Sequence, residues 1–407
     1  MKLRYGHQAM FEIYFLLFSC SVVRGTGSFK SIVYPKLLQG RSEDGNKILA
    51  IHDNLQLRLK KSSVFAKHFL YMTQEDGLEV HHNMDGEDLE RNLFHDSDKM
   101  ASLVVSTEGG LRVEGIVDGN LRIRPLNAEE RSSEGDIGHL LYRLKEKLPH
   151  LEGILYAPSN DFENTAFASP LNVDARYDKA AERQPETHPE MLILVDTAHS
   201  RHFTGKRQRK RDKIMEYFAI LMNAVNLKYS TLQIITVKFI LSAIWRYNTT
   251  VESEYMKFYN NTNSLLNSGA TLDSLGDYML KKKEAFARYD LVVHVTGRDL
   301  ISIYGDGTVS HGTSGRAYTG MVCNPEYKVA IVEDTPQTYD GVQNFAHEVG
   351  HLMGCVHDGS WPVSYIPNHP GARDCPASAY MVMTPHSTLE NVDKFSYCCG
   401  QQVSVVY

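Results

Sequence analysis

The stretch His347-Glu348-Val349-Gly350-His351-Leu352-Met353-Gly354-Cys355-Val356-His357-Asp358 constrains this chain more than any other. Val342, Phe345, Ala346 and Val349 fall at helical spacing and form an apolar stripe, which predicts an amphipathic helix with a polar opposite face. Asp340, with Gln343 three residues on, is the expected cap at its start. His347 and His351 are four apart, so both imidazoles project from one face within reach of one ion. Glu348 can reach a water held at such an ion without being a ligand itself. Gly354 tolerates a left-handed backbone and ends the helix, which lets the chain turn and bring back His357. Three neutral nitrogens leave a fourth position for water, the open arrangement of a catalytic rather than a structural zinc. Three of the five fixed positions are the uncommon residue His, which separates this pattern from a bare His-Glu-x-x-His on a solvated helix face.

The surroundings predict an α/β domain. Met191 to Val195 is a continuous apolar run suited to a buried strand, and Ile214, Met215, Phe218, Leu221, Met222 and Val225 follow helical spacing. Leu232 to Trp245 reads as strand, Leu272 to Phe286 as helix and Asp290 to Thr296 as strand, with further strands at Arg316 to Val322 and Lys328 to Val332. That alternation implies a mostly parallel sheet. Earlier in the chain, Lys47 to Leu59 and Ala101 to Arg124 alternate apolar and polar residues with Gly breaks, as hairpins do. Between the halves, Ser159 to Pro189 is rich in Asn, Asp, Glu, Ala and Pro and reads as a linker. The basic run Lys206 to Arg211 reads as a solvated loop leading into a helix.

The N-terminus and the cysteines point outside the cell. Lys2 and Arg4 precede an apolar stretch from Phe11 to Val23, and Val23 and Gly25 sit like the small residues before a leader cleavage site, with Met10 an equally good start. Cys20 falls in this leader. The remaining cysteines, Cys323, Cys355, Cys375, Cys398 and Cys399, are odd in number, so an oxidising compartment leaves one thiol over. No Cys-x-x-Cys pair exists, which removes a structural zinc knuckle. Asn248-Thr249-Thr250 and Asn260-Asn261-Thr262 are glycosylation sequons. A net charge of −6 gives no reason to expect nucleic acid, and no apolar run suits a membrane-spanning helix.

At the histidine stretch the chain resembles the metzincin zinc endopeptidases. Asp358, following the third histidine, is similar to the reprolysin (adamalysin) family, which includes snake-venom metalloproteinases and the ADAM proteins. The resemblance implies a metzincin α/β fold: a mixed, mostly parallel sheet with an active-site helix and a methionine turn, preceded by a β-rich propeptide. It implies one catalytic Zn2+ on His347, His351 and His357, with Glu348 as general base and then acid, and Asp358 beside the ligands. Tyr380-Met381-Val382-Met383-Thr384-Pro385 matches the turn, with Met383 ahead of Met381 because Met-x-Pro is the reprolysin form. Pro385 stands where related families place a tyrosine ligand. Phe395-Ser396-Tyr397-Cys398 resembles the family's C-terminal helix, and its usual partner position is matched by Cys323. The implied disulfides are therefore Cys323–Cys398 and Cys355–Cys375, with Cys399 left over and the roles of Cys398 and Cys399 open to exchange. The strand around Gly315-Arg316-Ala317-Tyr318 would be the antiparallel edge on which a substrate pairs. Glu190 and Asp290 loosely match family Ca2+ ligands.

The implied organisation is a signal peptide over 1–25, a propeptide over 26–185 and a reprolysin-like zinc protease domain over 186–407. Val33 to Thr73 and Met100 to Pro125 resemble in texture the prodomain of reprolysins secreted in tick saliva. No propeptide cysteine lies between Gly25 and Cys323 to cap the zinc, so latency through the chain's own propeptide must rest on occlusion or another ligand. Maturation is expected near Arg176 to Arg183. The expected product is a secreted endopeptidase, without membrane anchor, acting on extracellular matrix or clotting proteins. The alternative is a secreted non-catalytic zinc-binding protein that binds or antagonises host extracellular proteins.

Overall fold

The structure is a computed structural model, and it describes residues 29–38, 47–75, 77–126, 132, 135–144, 184–260, 262–385 and 392–407. The leader, almost all of the linker and the expected maturation site lie outside the described residues. Two large sheets are built from the rest. The first has nine strands and is antiparallel, made entirely from the N-terminal half between Lys30 and Arg143. The expected hairpins are here: Lys47–His52 pairs with Leu55–Lys61, and Ala101–Ser106, Arg112–Ile116 and Leu121–Pro125 follow one another across the sheet. Leu49, Leu57, Leu103, Val113 and Ile123 point inward to a core of their own.

The second sheet has seven strands. In spatial order they are Gly315–Ala317, Val329–Glu333, Leu291–Thr296, Glu190–Val195, Ile240–Arg246, Phe65–Glu75 and Leu78–Asp85. Val329–Glu333, Leu291–Thr296, Glu190–Val195, Ile240–Arg246 and Phe65–Glu75 run parallel, and the two edge strands are antiparallel. Leu192, Ile193, Val292, Val293 and Ala330 are fully enclosed, as expected where helices cover both faces of parallel strands.

Three local expectations differ. The strand region from Leu232 is shorter, with Thr236–Val237 and Ile240–Arg246, because Asn226 turns its side chain onto Phe239 and holds a break there. The edge strand is only Gly315–Ala317, since the chain turns at Gly320, where φ is +72°. The basic run is not a loop: Arg207–Tyr229 is one helix beginning immediately after Lys206, so its basic residues line the exposed first turns.

The expected boundary at 185/186 does not divide the sheets. Phe65–Glu75 and Leu78–Asp85 come from the N-terminal half, yet they complete the sheet that carries the histidine helix. Among the described residues, no helix is long and apolar enough to cross a membrane.

Candidate metal centre

The histidine helix spans Val342–Leu352, with Phe345, Ala346 and Val349 buried as the apolar stripe required. Its start is not capped by Asp340. That carboxylate turns back to accept from the Thr335 N–H at 2.8 Å, while Gly341 occupies the cap position and donates its N–H to Asp334 at 2.9 Å. Asp334 also accepts from the Tyr217 hydroxyl at 2.6 Å and from His199 Nε2 at 2.7 Å. A buried carboxylate thus ties the helix start to two other helices.

Gly354, at φ +106°, closes the far end, where the Cys355 N–H returns to the Gly350 carbonyl at 2.9 Å. The chain then carries His357 back under the helix. His357 Nε2 lies 3.1 Å from His347 Nε2 and 3.3 Å from His351 Nε2. The orientation of the helical pair is fixed from behind. His347 Nδ1 donates to the Val382 carbonyl and His351 Nδ1 to the Cys355 carbonyl, both at 2.7 Å. A neutral ring with its proton on Nδ1 presents the Nε2 lone pair forward. Three such nitrogens converging without a cation would repel one another. Four-coordinate zinc at its usual bond lengths spaces its nitrogens roughly 3.3 Å apart, and the two distances from His357 match that spacing. Among the described residues, these three histidines are the group able to hold a metal ion.

Glu348 is buried beside them. It lies directly against the edge strand: a Cβ added to Gly315 would stand 2.6 Å from Glu348 Cγ and 2.7 Å from its Oε1. Only glycine lets that strand pass over the carboxylate. Met383 is fully buried, and a Cβ added to Gly350 would meet its sulfur at 2.6 Å, so the thioether packs on the histidine helix at its one bare position. Met381 is less enclosed. Asp358 accepts from Ser396 Oγ at 2.6 Å, and burial pushes its carboxyl up to about 6. Its own N–H donates to the Met383 carbonyl at 2.9 Å.

The implied disulfides are corrected. The bonds are Cys355–Cys399 and Cys375–Cys398, and among the described residues Cys323 is the free thiol. Cys398 and Cys399 are neighbours on the helix Tyr397–Val406, so their side chains point about 100° apart. Cys399 faces the end of the histidine helix, and Cys398 faces the loop carrying Cys375. Cys323 is exposed, with its sulfur 3.6 Å from an Asp290 oxygen. Asp290 and Glu190 do meet, through the Glu190 N–H donating to Asp290 at 2.7 Å, and Glu190 also accepts from Ser242. Among the described residues, they belong to no group of three metal-ligating side chains. Asn248 of the first sequon caps the helix Thr249–Tyr255.

Of the residues that sequence reasoning singled out, His347, His351 and His357 converge, Glu348 is buried against the edge strand, Met383 packs on the histidine helix at Gly350, and Asp358 meets the Met383 carbonyl. Sequence reasoning missed Asp334, the Val382 carbonyl, and Gln402, whose side chain accepts from the Val356 N–H in the turn before His357. These partners are distant in the chain and belong to no motif. Gly315 had a readable signal, a glycine where a strand was expected.

Residues 215–358 match the model of the metallo-peptidase family M12B, reprolysin-like. The chain is 26% identical to the venom metalloproteinase antarease-like TtrivMP_A of Tityus trivittatus over 374 residues, covering 90% of this chain and 88% of that protein. Venom metalloproteinase BumaMPs1 of Olivierus martensii is 25% identical over 392 residues, covering 95% and 92%. A Bombyx mori protein named as a disintegrin and metalloproteinase with thrombospondin motifs like is 27% identical over 383 residues, covering 81% of this chain and 54% of that one.

Proposed function

Starting from a chain whose membership of the M12B reprolysin-like metallopeptidases is supported, we propose that it is a secreted zinc-dependent endopeptidase cleaving extracellular proteins. The observation that carries the reading is the convergence of three Nε2 atoms beside a buried glutamate that lies against the edge strand Gly315–Ala317. His347, His351 and His357 would hold the zinc. When bound, zinc supplies Lewis acidity and lowers the pKa of a coordinated water toward neutrality. Glu348 removes a proton from the attacking water and delivers it to the departing amine nitrogen, so it acts as base and then as acid and ends unchanged. Gly315–Ala317 is an edge strand, and an extended substrate would pair along it with its scissile bond near Glu348.

Tyr380 to Pro385 would be the methionine turn, with Met383 supporting the histidines from below. Residues 186–407 carry the proposed chemistry, and residues 26–185 precede it as a processed segment. Matrix and clotting proteins are the proposed substrates, by family analogy.

The test is to express residues 26–407, allow processing, and incubate the product with gelatin and fibrinogen, with and without a zinc chelator, beside Glu348→Gln. Cleavage that disappears on chelation and in the variant supports the proposal. Stoichiometric zinc with no cleavage would instead favour a non-catalytic zinc-binding protein.

A further inference from the structure

The residues of the edge strand Gly315–Ala317 alternate between its two faces. Gly315 faces Glu348 on the histidine helix, so Arg316 is directed to the opposite face. There its guanidinium is held by two hydroxyls from different elements. Arg316 Nε donates to Ser268 Oγ at 3.1 Å, and Nη2 donates to Ser302 Oγ at 2.8 Å. Both serines are buried and fixed in turn. Ser268 Oγ donates to the Ile301 carbonyl at 2.9 Å, and Ser302 Oγ lies 2.5 Å from Thr313 Oγ1. Arg316 itself is only half-buried. A planar cation is thus held in one orientation beside the strand.

The surroundings do not neutralise it. Both of these partners are uncharged, and they take two of the five N–H donors of the guanidinium. Ser268 opens the helix Ser268–Lys281, whose first turn carries no acidic residue, so the positive end of a helix adds to the field there. The carboxylates on neighbouring elements are engaged elsewhere. Asp273 accepts from the Tyr318 hydroxyl, Asp299 meets His311 at 2.6 Å, and Glu333 accepts from the Leu300 N–H at 3.2 Å. Across the ladder Arg316 stands opposite Ile331, which brings it no charge. Gly315–Ala317 ends the seven-stranded sheet, and the proposed substrate adds alongside it.

We infer that Arg316 is a specificity-determining residue, which selects an acidic side chain in the peptide lying along Gly315–Ala317. The inference rests on the protease reading above and names a substrate class for it. Strand alternation gives the register. Glu348 marks the scissile bond near Gly315, so the acidic residue lies within about three residues of that bond, on the face away from the histidines. Its carboxylate accepts from the remaining guanidinium N–H groups in charge-assisted hydrogen bonds, and a lysine in its place is repelled.

The test reads binding rather than cleavage. Residues 26–407, allowed to process and loaded with zinc, are titrated with peptide hydroxamates, in which the hydroxamate chelates the ion and sets the register. Each peptide carries Glu, Gln or Lys at the first, second or third residue from that group, on its amino side in one series and its carboxy side in another. At one position Glu should bind roughly tenfold tighter than Gln, with Lys weakest, and added salt should shrink the difference. Arg316→Met should bring Glu and Gln to equal affinity, Arg316→Glu should favour Lys at the same position, and Arg316→Lys should keep part of the preference for Glu. Equal binding of Glu and Gln at every position of the parent, or a preference that survives Arg316→Met, overturns the inference. No bond is cleaved in these titrations, so an absence of hydrolysis, which counts against the protease reading, is a separate result from an absence of acidic preference.

Discussion

The histidine turn and the junction behind the long helix are both buried, but they are specified in opposite ways. From His347 to Asp358 every contributing side chain lies within one helical turn or one reversal of its neighbour. At the junction, Ser102 meets Ile220 and Arg122 meets Thr338, pairs separated by 118 and 216 residues. The first region is chemistry set by local spacing. The second is packing that exists only once both halves have folded. Substitutions in the first should remove function and leave the fold, and substitutions in the second should do the reverse.

The largest expected effect is at Glu348. Replacing it with Gln should lower hydrolysis by roughly a thousandfold, the range of a lost general base, with zinc content and melting temperature unchanged. Full activity with zinc retained would sink the assignment. Ile220→Ala probes the opposite region. Its side chain is fully enclosed, so a loss of about 2–5 kcal/mol is expected by denaturant melts, while the catalytic constants of the remaining folded fraction stay close to the parent's. A drop in kcat at full occupancy of the fold would blur the contrast between the regions.

His294 sharpens the comparison through pH. It is wholly buried beside Tyr255, Asp196, Arg298 and His199, and burial lowers its pKa to about 4. The unfolded chain binds the proton first, so stability holds above about pH 6.5 and falls as pH drops from there towards 4. The loss should reach roughly 3 kcal/mol, and His294→Gln should flatten that part of the stability–pH curve. Gly315→Ala is a smaller, mixed case. Its new Cβ must displace Glu348, so kcat/KM should fall about tenfold to a hundredfold with little change in zinc affinity. Unaltered kinetics would show that the edge strand can give way. The least effect is expected at Cys323→Ser. Stability should move by no more than about 0.5 kcal/mol, and residues 26–407, denatured and unreduced, should lose the one titratable thiol that the described cysteines leave. A thiol persisting in the variant would contradict the disulfide pairing.

The histidine helix, its glycine stop, the returning third histidine and the alternating strands and helices were legible because each rests on a repeat of 2 or 3.6 residues or on one backbone preference. Where sequence reasoning strayed, the deciding contact was remote. Asp340 satisfies the capping pattern, yet Asp334 holds the helix start through Gly341 because the strand before it ends there. Cys398 and Cys399 were interchangeable in sequence, and only the direction each faces on the packed helix chose Cys375 for one and Cys355 for the other.

The sequence by itself therefore determined the cluster of three histidines, the glutamate beside it and the α/β rhythm around them. Tertiary structure decided that Phe65–Glu75 joins the sheet carrying the centre, that Arg122 grips the loop before the histidine helix, and that Gly315 must lack a side chain. The reason is one of range. Helical and turn geometry fix neighbours a few residues apart, whereas the partners of a strand edge, a buried cation or a glycine facing a carboxylate are set only when distant segments close on one another and exclude water.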